Sequence, residues 1–137
     1  MQSLTCKQRI NSHLKGRIED LSKLWEAYSS GNEDKYSEEL GNIFEYGLCF
    51  DYVAPGTFRD QRRGYFRYQL SWGGPADEFR FYCDESFNPV RIEYWFLDWS
   101  DGAKKILKNK EENLLLDIFN WFKEGGSVET EYNNSLK

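Results

Sequence analysis

Apolar and polar residues alternate most clearly in the centre of the chain, between Tyr65 and Trp99. Side chains on a β-strand point to opposite faces in turn, so strict alternation predicts strands with one buried and one wetter face. Turn residues at 73–77 and 84–89 divide this stretch into three strands, and the β-prone segment 48–53 precedes them. The side chains that alternation assigns to the buried face are Phe66, Tyr68, Leu70, Trp72, Phe79, Phe81, Cys83, Ile92, Tyr94 and Phe96. The pattern therefore predicts an antiparallel meander of about four strands.

Helical spacing of apolar residues occurs on both sides of these strands. Apolar side chains recur every three or four residues over 10–28, again over about 34–46, and again over 111–124. Such spacing places them on one face of a helix. Residues 103–107 predict one further helical turn, and the polar residues 127–137 predict a flexible tail.

The order of these elements defines the expected architecture. Helices at both ends and consecutive strands between them predict an α+β fold, a two-layer sandwich in which the antiparallel sheet packs against N-terminal and C-terminal helices. No repeat or interdomain linker interrupts the pattern, so residues 1–126 are expected to form a single α+β domain. A chain of 137 residues can bury enough surface to be stable without disulfides or a structural metal.

The last of the three central strands departs from simple alternation. Its second face carries Arg91 and Glu93 and then Trp95, Leu97 and Trp99, so its distal end is apolar on both sides. Two arrangements fit this pattern. Either a helix covers the distal end, or that end forms an exposed patch that is open to partner binding or homodimerisation.

Composition and charge narrow the function classes. The chain carries 18 Lys and Arg against 23 Asp and Glu, a net charge of -5, and this acidic balance argues against direct nucleic-acid binding. Cys6, Cys49 and Cys83 lack metal-ligand spacing, and the single histidine, His13, has no catalytic motif around it. We therefore expect no cofactor, no metal site and no enzymatic activity. No apolar leader and no membrane-spanning run are present, so we expect a cytoplasmic protein.

The most distinctive candidate site is an arginine-rich segment between the first two strands. Arg59, Arg62, Arg63 and Arg67 occur with a single acid, Asp60, whereas the flanking segments are acidic. Guanidinium groups bind carboxylates and phosphates through two parallel hydrogen bonds. The segment is thus a candidate contact for an acidic protein partner or a nucleic-acid backbone. The alternative is a solvated hairpin tip whose arginines pair with neighbouring carboxylates.

Acidic residues offer a second kind of candidate surface. Asp77 and Glu78 form one adjacent pair, and further pairs are Glu33-Asp34, Glu38-Glu39, Asp84-Glu85 and Glu111-Glu112. Such pairs either present spaced negative charges to a partner or are solvated turns and helix starts. Asp98 is a candidate general acid or base if it is buried, because desolvation raises a carboxyl pKa. Otherwise Asp98 caps the next segment or pairs with an arginine such as Arg80 or Arg91.

Three segments of the chain carry a family resemblance. The sequence at 65–75, with 77–81 and 94–99, resembles small uncharacterised proteins carried by bacterial plasmids and phages. The resemblance covers residues 44–103 and brings no catalytic residues with it. It implies a mobile-element setting, in which small acidic proteins often inhibit host defence, as anti-CRISPR and antirestriction proteins do.

Three functions follow from these features. The first is a non-enzymatic protein-interaction protein, an inhibitor of a host defence nuclease or CRISPR complex, with the partner-binding residues Arg59, Arg62, Arg63, Arg67, Trp95, Trp99, Asp77 and Glu78. The second is a small enzyme or ligand binder with a cleft beside the sheet that holds Asp98 or an arginine. The third is a single-stranded nucleic-acid binder that uses the open sheet face, through Tyr65, Tyr82, Arg67, Arg80 and Arg91.

Overall fold

A computed structural model describes residues 4–31 and 41–137. Within these residues the elements are α1 (Cys6–Ser29), α2 (Ile43–Tyr46), β1 (Cys49–Val53), β2 (Tyr65–Ser71), β3 (Ala76–Cys83), β4 (Pro89–Asp98), β5 (Asp101–Ile106), α3 (Asn109–Glu124) and α4 (Ser127–Ser135). The strands form one antiparallel sheet in the order β1-β2-β3-β4-β5. The predicted α+β fold is confirmed, and the meander has five strands where about four were expected.

The hydrophobic core lies between the helices and one face of the sheet. Its fully buried side chains include Leu14, Leu21, Phe66, Phe79, Phe81, Ile92, Tyr94, Phe96, Leu115, Ile118 and Phe119. Trp72, which simple alternation assigns to this core, is 66% exposed. The register between β2 and β3 shifts by one residue between Gln69 and Ser71, and such a bulge reverses the facing of the residues beyond it. Ser71 therefore faces the helices, and Trp72 does not.

Strand β5 stands where residues 103–107 predict a helical turn. A two-residue connection, Trp99 and Ser100, joins Asp98 to its partner Asp101, and Trp99 has the positive φ of +57° that such tight turns require. Pairing with β4 then satisfies the backbone hydrogen-bonding groups on the inner side of β5, an edge strand whose side chains are mostly exposed. Local sequence lacks an apolar helical stripe here, so the hairpin prevails.

Helix α4 stands where residues 127–137 predict a flexible tail. Gly126, with φ +86°, turns the chain after α3, and Val128 is then fully buried in the core. The ring of Tyr132 lies 5.1 Å from the rings of both Tyr52 and Phe87. Two apolar side chains among polar neighbours are enough to anchor this helix against the sheet.

The N-terminal helices agree in part with the spacing pattern. Helix α1 is longer than the predicted 10–28, and Thr5 caps its start through reciprocal hydrogen bonds with Gln8. Of the helix predicted over 34–46, residues 34–40 lie outside the described residues, as do the acidic pairs Glu33-Asp34 and Glu38-Glu39. The described part contains only the short α2, which Asn42 caps and Gly47 ends.

A buried ion pair fixes α1 on the sheet. The carboxylate of Asp77 on β3, 2% exposed, accepts hydrogen bonds from Nε of Arg17 at 2.7 Å and from Nη2 of Arg17 at 2.9 Å. The hydroxyls of Ser71 and Tyr94 also donate to it. Asp77 is thus a structural carboxylate on the helix side of the sheet, and the prediction of an exposed, partner-binding Asp77 was wrong.

Candidate binding site: the arginine face

The sheet face opposite the helices carries charged and aromatic side chains instead of an aliphatic layer. The loop 54–64 between β1 and β2 lies along this face and encloses a cleft of about 420 Å³ with it. We call this cleft the arginine face. Its lining residues are Phe58, Arg59, Asp60, Gln61, Arg62, Arg63, Tyr65, Arg80, Tyr82, Arg91 and Trp95.

One glutamine holds the loop in shape. The side-chain amide of Gln61 donates to the backbone carbonyls of Ala54 at 3.1 Å and Arg63 at 2.9 Å, while its Oε1 accepts from the backbone N–H of Phe58 at 3.0 Å. The backbone N–H of Gly56 also donates to the carbonyl of Gln61 at 2.9 Å. These bonds replace the ladder that a strand would have, so the loop presents its arginines from a defined backbone.

Aromatic rings support the arginines of the two strands. The guanidinium carbon of Arg80 lies 3.8 Å from the ring centroid of Trp95 and 4.6 Å from that of Tyr65. The guanidinium of Arg91 lies 4.6 Å from the ring centroid of Tyr82. Cations over ring faces are attracted by the negative face of the π-system. The rings therefore restrict these two guanidinium groups to the floor of the cleft.

Two buried glutamates neutralise part of this charge from below. Glu78, 3% exposed, accepts from Nε of Arg80 at 2.7 Å. Glu93, 1% exposed, lies 3.0 Å from Nε of Arg91, and its Oε1 accepts from the indole N–H of Trp95 at 2.9 Å. A buried carboxylate is tolerable only with such partners. Glu78 is therefore a support for Arg80, and the prediction that it contacts a partner directly was wrong.

The loop arginines carry charge that remains uncompensated. Arg59, Arg62 and Arg63 are exposed, and none of them has an ion pair with any residue in the described part of the chain. The alternative of a hairpin tip whose arginines pair with neighbouring carboxylates thus does not describe them. Arg67 differs, because Asp51 on β1 accepts two hydrogen bonds from it, at 3.0 and 2.7 Å.

Tyr65 contributes a hydroxyl without a partner. This residue is 1% exposed and lines the cleft, yet its hydroxyl has no hydrogen-bond partner among the described residues. Burial raises the pKa of Tyr65 to about 12, so the hydroxyl stays protonated and keeps a donor. Buried polar groups are rarely left unpaired, and an exception calls for an explanation.

The other candidates from the sequence lie elsewhere. Trp95 belongs to the arginine face, but Trp99 is 96% exposed at the β4–β5 turn and takes no part in it. Asp98 pairs with Arg9 of α1 at 2.6 Å, and not with an arginine of the sheet. His13 is exposed on α1, where its ring lies 4.3 Å from that of Phe96.

Sequence patterns indicated most of the arginine face but not its supports. The loop arginines and the strand positions 65, 80, 82 and 91 follow from composition and alternation. The roles of Gln61 and Glu93 do not, because a polar residue in a loop or strand is usually solvated. For Glu93, the sequence offered one indication of burial, which is its position between Arg91 and Trp95 on the same face of the strand.

The described residues contain no group of three or more His, Cys, Asp or Glu side chains able to hold a metal ion. None of the helices at 4–31 and 41–137 is both long and apolar enough to cross a membrane. Comparison with protein-family models, curated proteins and solved structures finds no match.

Proposed function

We propose that this chain is a non-enzymatic protein-interaction protein that binds an acidic segment of a partner protein through the arginine face. The observation that carries the proposal is the set of exposed, unpaired arginines Arg59, Arg62 and Arg63 above a floor of fixed guanidinium groups. The whole chain has a net charge of -5, so a cationic cleft reverses the sign of the protein's charge locally. Complementary charge steers association and selects partners.

The chemistry of the cleft favours binding over catalysis. Its buried carboxylates already partner arginines, its one other carboxylate is that of the exposed loop residue Asp60, and the described part of the chain places no histidine in the cleft to act as an acid or base. Guanidinium groups themselves stay protonated in proteins. A cleft of this composition holds negative charge and orients it.

The state of the aromatic rings argues against a stacking platform for single-stranded nucleic acid. Such platforms offer free ring faces to bases. Here Arg80 covers the rings of Tyr65 and Trp95, Arg91 covers that of Tyr82, and both tyrosines are buried. A base would have to displace a guanidinium group that is also held by a buried glutamate. Carboxylates can instead approach the outer edge of the arginines.

The proposed partner is a protein of a host defence nuclease or CRISPR complex. The support for this narrower proposal is the resemblance of residues 44–103 to plasmid- and phage-borne proteins, and the inhibitory role follows from the same setting. The arginine face supplies the contact whether the partner is a defence nuclease or a CRISPR complex.

Affinity capture from a bacterial lysate that contains such complexes tests the proposal. The lysate is treated with nuclease, so that nucleic acid cannot bridge the proteins, and the bait is either the wild type or the R59A/R62A/R63A variant. A matched control, K7A/K15A/K23A, removes the same three charges from exposed positions of α1, on the other side of the sheet.

We expect the wild type and the lysine control to retain one stoichiometric partner that the arginine variant loses. The wild type should also lose this partner at 0.5 M salt, because screening weakens contacts between exposed charges. A partner retained by the arginine variant at full yield would refute the arginine face as the contact. Capture that disappears after nuclease treatment would instead favour a nucleic-acid ligand.

A further inference from the structure

We infer that the floor of the arginine face is a subsite for a phosphate monoester, built by Tyr65, Arg80 and Arg91. This inference rests on the proposed function and names the chemical group that the cleft accepts. A phosphorylated side chain of a partner and a small phosphorylated metabolite both present that group.

Free donors on the two strand arginines are the first support. Arg80 uses Nε for Glu78, and the Nε of Arg91 faces Glu93, so each guanidinium turns one edge towards a buried glutamate. An arginine has five N–H donors in a planar fork. The Nη groups of both residues therefore keep donors for an oxyanion, and both side chains line the cleft.

The unpartnered hydroxyl of Tyr65 is the second support, and it is independent of the charges. Tyr65 lines the cleft, its ring lies under the guanidinium of Arg80 at 4.6 Å, and its hydroxyl has no hydrogen-bond partner among the described residues. A buried hydroxyl without an acceptor is destabilising in the free protein. An oxygen of a bound anion would supply that acceptor.

Charge and geometry select phosphate over carboxylate. Five arginines line the cleft, and three carboxylates lie in the same region, those of Asp60, Glu78 and Glu93. The difference is an excess of two positive charges, and Lys104, which pairs with Glu93, adds a third. A phosphate monoester carries close to two negative charges near pH 7. The donors also come from β2, β3 and β4, and the tetrahedral phosphate oxygens can meet several directions at once, whereas a carboxylate lies in one plane.

Titration calorimetry and arginine side-chain NMR test the subsite on the full chain. The probes are inorganic phosphate, phenyl phosphate and a phosphoserine peptide, with acetate as the carboxylate control at equal ionic strength. The variants are Tyr65→Phe and Arg91→Gln, and Tyr132→Phe is the matched control, because its ring packs on the helix side against Tyr52.

We expect phenyl phosphate to bind saturably, to shift the Nε–H resonances of Arg80 and Arg91, and to bind at least tenfold more tightly than acetate. Tyr65→Phe should weaken phosphate binding by about tenfold or more, the equivalent of one hydrogen bond to a charged group. Tyr132→Phe should leave it unchanged. Preference for the peptide over inorganic phosphate would identify a phosphorylated side chain as the source, and the reverse would identify a small metabolite.

Equal affinities for phosphate and acetate would overturn the inference, as would an unchanged phosphate affinity in Tyr65→Phe. The same experiments can refute the phosphate subsite without refuting the proposed function, and the reverse. If the arginine triple variant loses its protein partner while phosphate does not bind, the subsite is wrong and the protein-interaction role stands. If phosphate binds as expected but capture does not depend on the loop arginines, the subsite stands without that role.

Discussion

Replacement of Asp77 by asparagine tests the buried ion pair that joins α1 to the sheet. The carboxylate receives both donors of the Arg17 fork and the hydroxyls of Ser71 and Tyr94. An amide keeps the volume of the side chain but removes its charge, and its NH2 group turns a donor towards other donors. Arg17 is then left without its counter-charge in a partly buried position.

The size of the effect follows from the geometry of the pair. Breaking one partner of a buried pair costs about 3–5 kcal/mol, because the other charge stays desolvated. The side chain of Arg17 is 24% exposed, and partial solvation of the cation places the expected loss at the lower end, about 3 kcal/mol. For a chain of this size that corresponds to a melting temperature roughly 10 °C lower.

Urea denaturation followed by tryptophan fluorescence measures this loss. We expect the midpoint to fall with an unchanged slope, and Asp117→Asn, an exposed aspartate on α3, to change stability by less than about 0.5 kcal/mol. An Arg17→Met and Asp77→Asn double-mutant cycle should give a coupling energy above about 1 kcal/mol. A cost below about 1 kcal/mol for Asp77→Asn would show that this carboxylate is solvated, as the acidic-pair pattern suggested, and would refute the buried clamp.

Three further predictions concern the buried hydroxyl of Tyr65, the pH dependence of stability and the space beside two glycines. Tyr65→Phe should leave stability at pH 7 unchanged or raise it by up to about 1 kcal/mol, because it removes an unpaired buried hydroxyl, whereas a loss above 1 kcal/mol would contradict the missing partner. Burial raises the pKa of Tyr65 and of Cys83 to about 12, from ordinary values of 10.0 and 9.0. Folding thus favours the protonated forms of these two groups. Their contribution to stability should be fully present below about pH 9 and should be lost towards pH 12 in urea titrations, less steeply in Tyr65→Phe. Gly16 lies in α1 with open space around it, so Gly16→Ala should stabilise the protein by about 0.5–1 kcal/mol. Gly47→Ala should destabilise the protein, because the added Cβ would overlap the ring of Tyr68. Equal effects of the two substitutions in thermal melts would contradict this difference.

The periodicity of apolar residues predicted the helices and strands that bury an apolar face of their own. The alternation of Phe66, Phe79 and Phe81 identified the buried sheet face, and helical spacing identified α1 and α3. Elements that depend on distant partners were missed. Strand β5 is polar by sequence and exists because β4 offers it an edge, and α4 is held by Val128 and Tyr132 against residues far along the chain.

The candidate site was predictable to a similar extent. Runs of arginine are visible in a sequence, so Arg59, Arg62 and Arg63 were found directly. Sequence gives no burial for a charged residue, however, and an acidic pair such as Asp77 and Glu78 is solvated in most proteins. In this fold the two carboxylates face opposite sides of one strand. Asp77 pairs with Arg17 on a distant helix, which no local pattern connects to it, whereas Glu78 pairs with Arg80, two residues along the same strand face.

The buried glutamates decide what the arginine face can recognise. A free arginine side chain loses rotamer freedom when it binds a ligand, and this loss weakens binding. Here Glu78 accepts a hydrogen bond from Nε of Arg80 and Glu93 forms an ion pair with Arg91, while the rings of Trp95 and Tyr82 restrict the faces of the two guanidinium groups, so much of that freedom is lost during folding. What remains accessible is the outer edge of each guanidinium, which donates hydrogen bonds in one plane and direction. Such a surface discriminates by the number and geometry of anionic oxygens, and a partner with diffuse negative charge would gain little from it.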